Sequence, residues 1–275
     1  MPTNKAKVDA NDQAPVTEGT SRQDAIRIVP LKAPAGTRQA VVARATPPLL
    51  TYRGGPLLTA VDVAAIFWGG TWSTNAAQKK LTTQISDFFT YVVTSPLIDQ
   101  LSEYNVPNYR IAHGAYRGAV VVSTPVPGAT VTDTAIRRFL LQQISGNPQV
   151  AKPTPNRLYF VYLPPGTSVV QGGTRSCQAF CGYHDAIPDP THGEIFYAVM
   201  PYPGCAGCRG TLSLIDALTS TSSHELCEAI TDPIPGQSWY DDHNGEIGDI
   251  CAWKTRSIGG HVVQLEWSNA AKKCI

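Results

Sequence analysis

The chain has 275 residues, 43% of them hydrophobic, with 22 basic and 21 acidic side chains. That is enough apolar material for a sizeable core, as one large domain or two small ones. A formal charge of +1 without a basic cluster excludes an electrostatic footprint for nucleic acid or an anionic membrane. No apolar run reaches the roughly 18–20 residues that span a bilayer, and the N-terminus lacks the apolar core of a secretory signal.

Residues 1–45 are rich in Pro, Thr, Ala, Asp, Lys and Gln and show almost no apolar periodicity. Such a segment buries too little surface to offset its ordering entropy, and it reads as a disordered leader or propeptide ahead of a folded region at 46–275. Val61–Trp68 is branched, aromatic and bounded by glycines, which predicts a buried strand. Ala77, Leu81, Ile85, Phe88, Phe89 and Val92 then recur at helical spacing, with Asn75 as the cap and Pro96 as the stop. A strand over Ala119–Ser123 and a helix over Asp133–Ile144 follow. Leu158–Leu163 reads as a central strand and Ile195–Met200 as another, separated by a cysteine-bearing loop. Beyond Pro233 the chain is irregular until a strand near His261–Trp267.

The stretch Ser223–Pro233 carries the chemistry. His224 and Glu228 lie four residues apart, on one face of a helix, and Glu225 adjoins the histidine. Zinc hydrolases use this spacing: two ligands converge on the ion while the neighbouring glutamate takes a proton from bound water. The zincin motif proper is H-E-x-x-H, so Glu228 puts a hard oxygen where a second imidazole is usual and leaves the metal open, zinc first and calcium as the alternative. Ser222 and Glu225 also fit a capping box, a competing use of the same carboxylate. Asp232 before Pro233 reads as a helix end. A third ligand is expected from Glu246, then Asp249, with His243 as a nitrogen donor. Asp241, Asp242, Asn244, Glu246 and Asp249 are a possible calcium set, although their spacing does not fit an EF-hand. Trp239, Tyr240 and Trp253 flank the segment as core packing or as a cleft wall. His184 sits between cysteines, near enough in pattern to be a further candidate.

Seven cysteines cluster from Cys177 onward. Disulfides around the site and a four-thiolate zinc site at Cys177, Cys181, Cys205 and Cys208 are both open on spacing, and the odd count leaves one thiol unpaired. The order of strands and helices, with an extended segment just before a His-Glu helix, resembles the zincin metalloprotease layout. That resemblance implies a zincin-like α/β domain in which Ala198–Pro201 is an edge strand receiving an extended peptide. A second resemblance is carried by Tyr52–Leu58, Ile66–Gly70, Cys177–His184, Pro203–Cys205 and Thr231–Pro233. These segments are similar to the phosphate-induced or EXORDIUM-like proteins and their bacterial relatives. This likeness implies an extracytoplasmic, disulfide-bearing protein and a non-catalytic binding role as the alternative to enzyme action. The expectation is a metal-dependent hydrolase, most simply a peptidase, with a peptide or protein substrate, no nucleic-acid partner and no membrane insertion.

Overall fold

The computed structural model describes residues 28–32 and 47–275. Within them the chain is a mixed α/β structure with several sheets. The largest sheet has six strands: β1 Ile28–Pro30, β2 Asp62–Trp68, β3 Ala115–Val122, β4 Arg157–Tyr162, β5 Phe180–Asp189 and β6 Gly193–Met200, in the spatial order β1-β5-β6-β4-β2-β3. β3, β2, β4 and β6 are parallel, whereas β5 runs antiparallel to both β6 and β1.

The central strands read as near-continuous apolar runs because both faces of the sheet are covered. Along β2, Val63, Ala65 and Phe67 join one apolar cluster, and Ala64, Ile66 and Trp68 join the other. Helix α1, Ala76–Val92, buries Leu81, Ile85, Phe88, Phe89 and Val92 in the first cluster, and its Asn75 cap accepts the amides of Ala77 and Gln78. Helix α2, Asp133–Gly146, buries Ile136, Phe139, Leu140 and Ile144 in the second. These elements agree with the periodicities read from the sequence.

Helix α3, Leu214–Thr231, packs on the α1 face and starts eight residues before Ser222, with Ser213 accepting the Asp216 amide. The capping box at Ser222 and Glu225 is therefore not formed. Ser222 is interior, and its hydroxyl lies 2.8 Å from that of Tyr162. Every residue from Ala217 to Thr231 is buried, an unusual position for a helix this rich in Ser, Thr, His and Glu. A hairpin of β7 Thr255–Ile258 and β8 His261–Gln264 covers its outer side. Thr219 donates to the Val262 carbonyl (2.8 Å), and the Gln264 amide donates to Ser223 Oγ (2.8 Å).

Three expectations change. The cysteine-bearing segment is not a loop but β5, whose Gly182, His184 and Ala186 face α3. Because β5 pairs with β6, Ala198 is flanked on both sides, by His184 and Phe160, and Ala198–Pro201 is not a sheet edge. The four-thiolate zinc site is excluded by Cys177–Cys205 and Cys181–Cys208 disulfides; Cys251–Cys274 is the third, and Cys227 is the free, buried thiol. The expected leader lies outside the described residues except for 28–32, and there Ile28–Pro30 is an ordered edge strand on β5. No helix among the described residues is long and apolar enough to cross a membrane.

Candidate metal centre

Helix periodicity brings His224, Glu225 and Glu228 to the inner side of α3, where β5 and the 244–251 loop meet them. Gly182 on β5 permits the approach: a Cβ there would lie 2.9 Å from Glu225 Oε1 and 2.8 Å from Thr221 Cγ2. Gly248 does the same on the loop side, where a Cβ would lie 2.7 Å from His224 Nδ1 and 2.9 Å from Glu228 Oε1. Side chains at either position would push the elements apart.

The polar groups converge in two overlapping sets. His224 Nε2 is 2.9 Å from Glu228 Oε1 and 3.9 Å from Asp249 Oδ1. His184 Nδ1 is 3.1 Å from Glu225 Oε2 and 3.6 Å from Glu228 Oε2, and its Nε2 is 3.5 Å from Glu246 Oε1. Within each of the sets His184, Glu225, Glu228 and His224, Glu228, Asp249, one donor atom per residue lies within 4.8 Å of the others. The expected residues His224, Glu225, Glu228, Glu246 and Asp249 thus share one buried cluster, and His184 joins them from another element.

These side chains are sealed from water, with His224, Glu225, Glu228 and Glu246 all at 0% exposure. Buried charges ordinarily carry partners. Here Glu225 Oε1, Glu228 Oε2, Asp249 Oδ1, both oxygens of Glu246 and His224 Nε2 have no hydrogen bond. The 2.9 Å contact between His224 and Glu228 is therefore close without hydrogen-bond geometry. Donors that share a zinc ion at about 2.0–2.2 Å stand roughly 3–3.5 Å apart, aimed at the ion and not at each other. Among the described residues, the cationic side chains within ion-pair distance of these carboxylates are the two histidines.

Burial lifts the carboxyls of Glu225, Glu246 and Asp249 above the usual carboxylate range, and the charge of Glu228 pushes all three further. Burial opposes the charged form of His184, but the bond to Glu225 and the charges of Glu225 and Glu228 outweigh it and carry its pKa to about 9.

Not every expected residue belongs. Asp232 caps the end of α3: its carboxylate accepts the amides of Gly236, Gln237 and Ser238, and its carbonyl faces His184 Nε2 at 3.1 Å. His243 is exposed, so it does not supply the nitrogen. The calcium set does not assemble. Asp241 spends its oxygens on the amides of Leu49, His243 and Asn244, and Asp242 points outward to Arg53. Trp239 packs edge-on to Tyr104, and Trp253 donates to the Pro30 carbonyl, so neither reaches the cluster.

Protein-family models, curated proteins and solved structures were compared with the chain. None matches. The functional reading accordingly rests on the donor set and its surroundings.

Proposed function

We propose that this chain is a metal-dependent hydrolase of zincin-like arrangement, a peptidase in its simplest form. The observation that supports it most is the buried cluster of carboxylate oxygens lacking partners, Glu246 above all. A divalent cation supplies the missing positive charge where, among the described residues, no arginine or lysine pairs with these carboxylates. Two imidazoles beside the carboxylates suit zinc better than calcium, which takes oxygen donors.

His224, Glu228 and Asp249 hold the ion, with Glu246 beside them. When bound, the ion lowers the pKa of a coordinated water and polarises the scissile carbonyl. Glu225 is the general base: Oε2 is held by His184, which fixes the carboxylate, and Oε1 is left to take the proton. His184 is thereby a positioning residue, anchored at its other nitrogen by the Asp232 carbonyl. Gln264 Nε2 lies 2.8 Å from His224 Nδ1 and sets the orientation of the ring. The test is hydrolysis of an unfolded protein substrate, with and without a chelator. Glu225→Gln should abolish cleavage while the ion at His224, Glu228 and Asp249 remains; undiminished cleavage would remove Glu225 as the base.

The burial of all the donors but Asp249, which is partly buried, favours a second reading: a non-catalytic, extracytoplasmic binding protein of the EXORDIUM-like kind whose ion is structural. Three disulfides support an oxidising compartment for either reading. Bound metal without any hydrolysis would select this one.

A further inference from the structure

We propose that the cluster is a two-cation centre, in which a second divalent ion is held by His184 Nδ1, Glu225 Oε2 and Glu228 Oε2, with Glu228 bridging to the ion at His224 and Asp249. The proposal rests on the metal reading above and extends it to a site that the motif does not contain.

The first support is the orientation of Glu228. Its two oxygens face different histidines: Oε1 lies 2.9 Å from His224 Nε2 and Oε2 lies 3.6 Å from His184 Nδ1. Oε1 also accepts the Asp249 backbone amide (3.0 Å), whereas Oε2, on the His184 side, is buried and lacks a partner. The second is the tautomer of His184. Its Nε2 lies 3.1 Å from the Asp232 carbonyl, which can only accept, so Nε2 carries a proton there. Metal-binding histidines are held in this manner, one ring N–H on a backbone carbonyl and the other nitrogen free for the ion. The other nitrogen, Nδ1, meets Glu225 Oε2 in a hydrogen bond that an ion would replace, and faces Glu228 Oε2.

The third is charge. Ionised Glu225, Glu228, Glu246 and Asp249 bring four negative charges into a dry space, and one divalent ion neutralises half of them. Two ions balance these four with both imidazoles neutral, while Glu246 stands on the Nε2 side of His184 (3.5 Å) and buried Glu266 lies nearby with its oxygens unpartnered. Hydrolases with paired ions use this composition of imidazoles and a bridging carboxylate to clamp water and substrate together.

The two halves differ in readiness. Gln264 Nε2 donates to the Gly248 carbonyl (2.9 Å) and its Oε1 accepts the Trp253 amide (3.3 Å), so it presents an N–H to His224 Nδ1. Before Nε2 of His224 takes an ion, that carboxamide has to turn its oxygen toward Nδ1. The His184 half gives up only the Nδ1 proton shared with Glu225, with no side chain to turn, and fills first. In the two-ion state Glu225 binds through Oε2 and keeps Oε1 for the proton.

The experiment is calorimetric titration of the metal-stripped full-length chain with zinc, with elemental analysis of the product. The expected result is two equivalents in two steps, the tighter one lost in His184→Ala and the weaker one lost in His224→Ala. A single equivalent in the unmodified chain overturns the proposal. Manganese loading, read by electron paramagnetic resonance on the unmodified chain, covers the case of variants that fail to fold. An exchange-coupled pair supports two adjacent ions, and an isolated-ion spectrum at saturation overturns them. Two bound ions without hydrolysis would overturn the hydrolase reading alone, and hydrolysis with one bound ion would overturn the second site alone.

Discussion

Asp62 and the carboxylates gathered around α3 are both buried, and the chain treats them in opposite ways. At the start of β2, each Asp62 oxygen has its own guanidinium: Arg117 Nε at 2.5 Å on one and Arg157 Nη2 at 2.7 Å on the other. Around α3 Glu225, Glu228, Glu246 and Asp249 share two imidazoles, and five of their oxygens are left without any partner. In the first arrangement both carboxylate oxygens have their counter-charge, and what is left unpartnered is N–H of Arg157, not oxygen. The second is completed by a cation, because removing several like charges from water without compensation costs several kcal/mol per ion. The difference teaches that burial of acid groups is not by itself a site; burial with the counter-charge missing is.

The contrast can be broken from either side. The largest effect is expected at the catalytic carboxylate: Glu225→Gln should lower kcat by about 10²–10⁴-fold, the usual contribution of a general base. Steady-state kinetics on an unfolded protein substrate read this. Asp62→Ala should act only on stability, by about 3–5 kcal/mol, because it strands the buried Arg157. Denaturant unfolding with and without metal should show the same loss in both conditions; a loss that depends on metal would erase the distinction drawn between the two regions. Chelation should do the reverse, leaving Asp62 untouched while lowering stability by about 2.7 kcal/mol relative to protein at 100 Kd of zinc, roughly 5–10 °C in Tm. A Tm indifferent to chelator would mean that the carboxylates tolerate their burial without an ion.

Gly182→Ala should cost about 1–3 kcal/mol through overpacking against Glu225 and Thr221. It should also weaken zinc binding, since the helix must back away from β5; a stable variant with unchanged zinc affinity would count against the close approach. The smallest effect is the pH dependence of the metal-free chain. Glu246 and Asp249 have folded pKa values well above 4.5 and 3.8, and His184 rises from 6.5 to about 9. In each case the folded chain holds a proton that the unfolded chain releases, so stability is fully present at low pH and declines as pH rises. The carboxyl contribution starts to fall above 3.8–4.5, and that of His184 falls between 6.5 and about 9. Thermal melts in chelator should fall across this range. A rise would contradict the shifts.

Much of the scaffold was legible in the sequence because β2, β4, α1 and α2 each bury an apolar pattern of the right period. The start of α3 was not. Thr219–Ser223 are poor helix formers that read as a polar tract. They are helical because tertiary contacts take their hydroxyls: Ser223 Oγ bonds the Ser220 carbonyl, Thr219 the Val262 carbonyl, and Ser222 meets Tyr162. β5 was hidden because Gly182, His184, Asp185 and Pro188 interrupt an apolar run. Those interruptions are the site itself, a glycine for close approach and a histidine aimed at Glu225 and Glu228. His224, Glu225 and Glu228 were readable from helical spacing, and Glu246 and Asp249 from their carboxylates after a turn. His184 had no spacing rule to announce it, since a strand forty residues upstream is brought near only by sheet pairing.

The most direct test is anomalous scattering at the zinc edge from a crystal of the full-length protein purified without added metal. A peak is expected at the cluster, beside Glu228 and bounded by His184 and Glu225 or by His224 and Asp249, at about 2.0–2.2 Å from the ligating atoms. An anomalous map empty at the cluster, with Glu246 paired instead to ordered water or to a protein donor, would contradict it.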